Sequence, residues 1–151
     1  MSKLPSRSVE LAWTSLLRAS TGALAGVELS LKAAKLPPLA WYDVLLELEK
    51  AGKNGLRPFE LQKELLLPQY HLSRLLERIE QKGYLERHAI AEDGRGQLLV
   101  ISKPGVKIRQ AMWDIYGPAI QSAVGERLKA GEISILAKLL DKLIVPKNTD
   151  T

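Results

Sequence analysis

Apolar residues recur along most of this chain at the spacing of helices, broken once by a short stretch with the look of strands. Over residues 8–35, Trp13, Leu17, Leu24 and Leu31 fall on one stripe, joined by Leu16, Val27 and Ala34, which predicts a long amphipathic helix. Gly22 and Gly26 each weaken it by about 1 kcal/mol relative to alanine, and Pro37-Pro38 ends it. A second helix is predicted over 38–51, with Trp41, Val44, Leu45, Leu48 and Ala51 on one face. The glycines of residues 50–55 mark a loop. Pro58 suits a helical first turn, with Leu61 and Leu65 following at i, i+4. Pro68 closes that short helix and opens another over 69–82, where Leu72, Leu75, Leu76 and Ile79 repeat at i, i+3, i+4, i+7, and Gly83 stops it.

The periodicity then changes. Residues 84–90 and 97–101 read as extended runs around Ala-Glu-Asp-Gly-Arg-Gly96, a segment of turn formers, and predict a β-hairpin. Ser102 is a natural N-cap for a helix over about 104–127, in which Gly117-Pro118 should produce a kink. A last helix with a leucine face is predicted over about 132–145.

Composition narrows the function. The chain has 151 residues, the size of one domain, and 46% of them are apolar, which supports a packed core. No apolar run is long enough for a membrane span, and the N-terminal segment lacks the apolar core of a signal peptide. Cysteine is absent, which excludes disulfides, thiolate zinc sites and thiol nucleophiles and suits a cytoplasmic location. The net charge of +5 favours an anionic partner. It is distributed as +3 over 1–36, zero over 37–103 and +2 over 104–151, so a basic footprint has to come from the placement of helices and turns.

The order short helix, tight turn, helix, hairpin is that of a helix-turn-helix followed by a wing. With 100° per residue, Leu72, Leu75, Leu76 and Ile79 gather on one side of helix 69–82. The opposite side carries Tyr70, Arg74, Glu77, Arg78 and Gln81, flanked by His71 and Ser73. These are donors suited to base edges and phosphates: Arg to guanine, Gln to adenine, Tyr and Ser to the backbone. At the hairpin tip, Asp93-Gly-Arg-Gly96 presents Arg95 between two glycines, a slim cation suited to a narrow minor groove. The same features would also arise in an ordinary solvated helix face and an ordinary tight turn.

Residues 56–105 resemble the winged helix-turn-helix of the MarR family of transcriptional regulators. The family pattern Arg-Leu-x-x-Arg-Leu-Glu-x-x-Gly-x-x-x-Arg is matched by Arg74-Leu-Leu-Glu-Arg78-Ile79-Glu80-Gln-Lys-Gly83-Tyr-Leu-Glu-Arg87. The family wing, Asp-x-Arg followed by alternating apolar residues and Leu-Thr-x-x-Gly, is matched by Asp93-Gly-Arg95 and, later, Ile101-Ser102-Lys-Pro-Gly105, with Ser102 in place of threonine. Pro68 and Gln69 stand where the family has a polar cap. The number and length of the flanking helices extend the resemblance over nearly the whole chain.

The resemblance implies a mainly α fold with a small β-wing: a winged helix-turn-helix lobe over 37–103, flanked by dimerisation helices over 6–36 and 104–146, in a single domain spanning 1–151. It implies a homodimer on a pseudo-palindromic DNA operator, acting as a repressor. Arg95 would enter the minor groove, and Gln69, Tyr70, His71, Ser73, Arg74 and Arg78 would face the major groove. The apolar faces of the first and last helices support the dimer independently, since a monomer would expose them. In the family, small aromatic effectors bind between dimer helices and reading head. Trp13, Trp41, Tyr42 and Trp113, with Tyr116, are the candidates here, although any one such aromatic residue is more often simply core.

His71 and His88 are expected in polar surface roles, since a metal site would need Glu86 or Glu92 to complete it. No cofactor is expected. Catalytic signatures are missing: there is no Ser-His-Asp context, phosphate loop or His-Glu-x-x-His motif. The alternatives to a DNA-binding regulator are a winged-helix protein–protein module and a ligand sensor without DNA binding.

Overall fold

The computed structural model describes residues 3–90 and 96–146. In chain order it contains α1 (Arg7–Ala33), α2 (Leu39–Ala51), a 3₁₀ turn (Gly52–Asn54), α3 (Pro58–Glu64), α4 (Leu72–Gln81), β1 (Leu85–Ala89), β2 (Gln97–Ile101), α5 (Lys103–Ile120), a π turn (Gln121–Gly125) and α6 (Ala130–Asp141). The fold is therefore mainly helical with one antiparallel hairpin, as the resemblance implied. No helix among the described residues is long and apolar enough to cross a membrane.

Three boundaries differ from expectation. The helix expected to open at residue 69 starts at Leu72. Pro68 disfavours helical geometry at Leu67, and the N-cap His71 makes no side-chain cap bond, so residues 69–71 remain outside the helix. The helix expected over 104–127 ends at Ile120 and widens into a π turn. Pro118 has no amide to give the carbonyl four residues earlier, and the π turn follows within one turn of it. The last helix begins and ends earlier than expected, at Ala130 and Asp141, after a capping box in which Glu132 accepts from the Lys129 amide.

Two apolar clusters share α2. The first gathers Val44, Leu45 and Leu48 of α2 with Leu61 and Leu65, Leu76 and Ile79 of α4, Leu85 and Leu99. It joins α2, α3, α4 and the hairpin into one lobe. The second gathers Val27 and Leu31 of α1 with Leu39, Tyr42 and Met112, and seats the lobe on α1 and α5. Each such buried side chain contributes about 1.5–3 kcal/mol. In the hairpin, Leu85 pairs with Ile101, Arg87 with Leu99 and Ala89 with Gln97. Leu56 adds a bridge to Leu99, tying the segment before α3 to the wing.

The end of α4 and the start of α5 meet in a small polar knot. Gly83 takes φ +78°, and the Gly83 and Tyr84 amides bond back to the carbonyls of Glu80 and Ile79, the Schellman pattern. The Ser102 hydroxyl accepts from the Gly105 amide and donates to the Gly83 carbonyl, while the Ser102 amide bonds to the Tyr84 carbonyl. Gly105 lies so close that a Cβ there would sit 2.1 Å from the Tyr84 carbonyl oxygen.

The outer helices contrast with this lobe. α6 has no buried residue, and in α1 the buried residues are Val27 and Leu31, near its C-terminal end.

Gly105→Ala is expected to lower stability by about 1–3 kcal/mol, because a backbone carbonyl rather than a flexible side chain stands in the way. Thermal unfolding followed by circular dichroism checks this, and a melting temperature equal to the wild type would contradict the close packing.

Candidate nucleic-acid interface

α4 lays Leu76 and Ile79 into the core, with Leu72 and Leu75 packed against it. This leaves Ser73, Arg74, Glu77, Arg78 and Gln81 exposed along the outside. Ahead of the helix, Tyr70 is 92% exposed, His71 is exposed and Gln69 is half-buried. Gln69, Tyr70, His71, Ser73 and Arg74 line one concavity of about 370 Å³ together with Leu72 and Gln62. The structure thus brings together five of the expected contact residues. Arg78 lies one turn along the same helix as Arg74. Arg95 lies outside the described residues. The strands leading to it are closed by the Ile90 amide on the Gly96 carbonyl at 3.0 Å.

Gln62 did not stand out in the sequence. Leu61 and Leu65 turn inward on α3, which leaves Phe59, Gln62 and Lys63 on its exposed side. That periodicity was the available signal, but only the fold brings Gln62 beside α4. Gln62 and Phe59 also line a wider groove of about 590 Å³ with Ser73, Glu77, Glu80 and Arg87. Lys63 Nζ lies 5.5 Å from the centre of the Phe59 ring.

Chemically, the outer face offers two guanidinium forks, amides, hydroxyls and an imidazole over a rigid apolar ridge. An arginine fork can meet two acceptors on one base edge, and Ser, Tyr and His can bond phosphate oxygens. The ridge is held at both ends. Asp43, the buried charged residue of α2, is 8% exposed, and its carboxylate accepts from the amides of Leu66 at 3.0 Å and Leu67 at 2.7 Å. This fixes the connection from α3 to α4. Near the other end, Arg87 Nε donates to Glu80 at 3.1 Å, joining β1 to α4.

A second cavity, of about 410 Å³, lies between α2, residues 66–67 and α5. Tyr42, Tyr116 and Trp113 form part of its wall, so of the four expected pocket residues it holds Tyr42 and Trp113. Trp41 is placed elsewhere: it packs on the first cluster and meets Tyr84 edge-on at 6.1 Å. Neighbours on a helix point about 100° apart, and here Trp41 turns to the first cluster while Tyr42 turns to the cavity. Trp13 is 60% exposed on α1, well before the buried Val27. The Tyr116 phenol is raised above its usual 10.0 by burial first, then by Tyr42 and the Asp43 carboxylate. The protonated form is thus the one the fold favours. Its stabilising contribution is complete below about pH 10 and is lost as the pH rises through the higher folded value.

His88 lies 3.1 Å from Glu86 on the exposed side of the wing. Among the described residues, no three His, Asp or Glu side chains converge as a metal site.

Comparison with known proteins places this geometry. Residues 35–96 match the MarR family model. The chain is 30% identical over 105 residues to the multiple antibiotic resistance protein MarR of Escherichia coli K12, covering 70% of this chain and 72% of that protein. It is 30% identical over 103 residues to its Salmonella typhimurium counterpart, covering 68% and 70%. Among solved structures, Sco3205, a MarR family transcriptional regulator from Streptomyces coelicolor in complex with DNA, superposes with a TM-score of 0.85 at 22% identity, over 95% of this chain and 89% of that one. A Cys-to-Ser mutant of E. coli MarR complexed with operator DNA gives 0.79 at 25% identity, over 95% and 100%.

Asp43→Asn replaces one acceptor oxygen by a donor facing a backbone amide. A loss of about 1–3 kcal/mol is expected, with the amides of Leu66 and Leu67 losing hydrogen-exchange protection. Unchanged protection at those two amides would show that the carboxylate does not hold the connection.

Proposed function

The chain belongs to the MarR family of transcriptional regulators, and from that membership and the geometry above we propose that it is a homodimeric, sequence-specific DNA-binding repressor. The observation that carries this reading is the exposed polar face of α4, presented on an apolar ridge that is anchored through Asp43 and Glu80.

In this reading, residues 37–103 form the DNA-binding lobe, and residues 6–36 and 104–146 form the dimerisation helices. Each subunit lays α4 in a major groove. Arg74 and Arg78 reach base edges or phosphates, Gln69 and Ser73 add polar contacts, and Tyr70 and His71 meet the backbone beside the helix start. The wing carries Arg95 into the adjoining minor groove, whose negative potential attracts a single projecting cation. The DNA partners named for the two solved relatives support the same placement.

The dimer is supported by the apolar surface that one chain leaves uncovered. Val9, Leu11, Trp13, Leu17, Leu24 and Leu29 of α1 are exposed, as are Ile135, Leu136 and Leu139 of α6 and Leu143, Ile144 and Val145 just after it. Exposed apolar side chains in this number on the two outer helices favour an interface. Two-fold pairing of these helices would set two copies of α4 about one DNA turn apart, matching a pseudo-palindromic operator.

The aromatic cavity is the proposed effector site. It touches α5 on one side and the connection leading to α4 on the other. A small aromatic ligand bound there releases DNA if it favours a geometry in which the two reading heads no longer fit the half-sites.

Selection from a random duplex pool should return an inverted repeat with half-site centres about one turn apart. Arg74→Ala should cost about 1–3 kcal/mol on the selected site and relax preference at one base position. Arg95→Ala should weaken binding with the dimer and melting temperature unchanged. Full affinity in the Arg95 variant would remove the wing from the reading. Leu139→Glu should halve the sedimentation mass of the free protein, and a dimer that survives it would place the interface elsewhere.

A further inference from the structure

The cavity between α2, residues 66–67 and α5 supports an inference about ligand charge, which rests on its being the effector site. Three of its wall residues are aromatic. Tyr42 and Trp113 stack with centroids 6.1 Å apart and planes 23° apart, and Tyr116 meets them edge-on at 5.0 and 5.8 Å. Trp113 is 47% exposed, so its ring is open to a ligand. The charged groups lining the cavity are Asp43, Glu47, Glu64 and Lys50. Lys50 Nζ lies 3.2 Å from Glu47, and these two charges offset each other. That leaves Asp43 and Glu64 without a cation among the lining residues. The Asp43 oxygens accept from two amides, which stabilise its charge without cancelling it. Arg109 lies behind Tyr42, its guanidinium carbon 5.9 Å from the ring centre, but it does not line the cavity and is paired with Glu49.

The cavity is therefore negative and π-rich within a chain whose overall charge is +5. A diffuse attraction to the whole protein would favour anions, so a preference for cations has to come from this site. The Tyr116 phenol, raised first by burial and then by Tyr42, also feels the Asp43 charge. A volume of about 410 Å³ accommodates a ligand of two or three fused rings. Aromatic faces attract cations through the ring quadrupole, and a carboxylate held in the same place would face the buried Asp43 and the more exposed Glu64.

We propose that this cavity selects a planar aromatic cation and rejects aromatic carboxylates. The ring system lies against Trp113 and Tyr42, and its positive charge is directed toward Asp43 and Glu64.

The test is calorimetric titration of the DNA-free 151-residue chain with two near-isosteric probes: aminoacridine, a planar cation, and acridine carboxylate, an anion. Aminoacridine is expected to bind once per chain and about tenfold or more tighter than the carboxylate. Glu64→Gln, at an exposed position, should weaken the cation about fivefold and narrow that ratio. Trp113→Ala, checked for an unchanged circular dichroism spectrum, should lose both probes. Equal affinity for the two probes, or a tighter carboxylate, with loss of both in Trp113→Ala, would overturn the charge selection and leave the effector site standing. Binding of neither probe, or binding that survives Trp113→Ala, would overturn the site itself and the selection with it.

Discussion

The connection that leads into α4 is held by one buried carboxylate. Asp43 sits inside α2, between the two apolar clusters, and its two oxygens are spent on the amides of Leu66 and Leu67. Burying a carboxylate is costly unless its lone pairs are met. The cost is offset here by closing the connection between α3 and α4, a segment with no helical ladder of its own. Pro68 follows at once, so the chain leaves α3 in a direction that α2 dictates and arrives at α4 from there. Tyr70, Ser73 and Arg74, all exposed, follow directly on this tethered segment.

The far end of α4 is fixed by different chemistry. Gly83 in the left-handed region turns the chain, Ser102 bridges the turn to α5, and Gly105 lets the backbones touch. Glu80 and Arg87 add an ion pair between α4 and the wing, and Glu49 and Arg109 add one between α2 and α5. α4 is thus tied to both the wing and α5. A shift of α5 relative to α2 would be passed to α4 through rigid contacts rather than through a flexible hinge. The aromatic cavity lies along that same seam.

Much of this was legible in the sequence because it rests on local rules. The i, i+3, i+4, i+7 leucines marked the inner face of α4, Gly83 marked its end, Ser102 marked the start of α5, and the turn formers around residue 93 marked the hairpin. The parts that were missed depend on contacts between distant segments. Asp43 looks like any polar residue on an amphipathic helix until residues 66–67 fold over it. Gln62 joins the α4 surface only through the tertiary approach of α3. Trp41 and Tyr42 were grouped as pocket candidates, yet adjacent helical residues diverge by about 100°, and only Tyr42 turns to the cavity. The start of α4 was placed three residues early because no side chain at the Pro68–Gln69 step supplies a cap. The arginine and glycine pattern that resembles the family has a structural reason at several positions: Glu80, Gly83, Arg87 and Gly105 hold the lobe together, leaving Arg74 and Arg78 free to face outward.

The apolar surface of α1 and α6 completes the picture, since nothing within one described chain covers it. In the proposed dimer, two outward α4 helices and a modest positive charge should hold duplex DNA largely through phosphates. The most direct measurement is a fluorescence-anisotropy titration of the purified protein against duplex DNA at two salt concentrations. Two chains per duplex are expected, with affinity falling steeply as salt rises, by about 0.9 log units per log of salt for each phosphate neutralised. No binding at low salt, or binding indifferent to salt, would contradict a DNA-reading role for this fold.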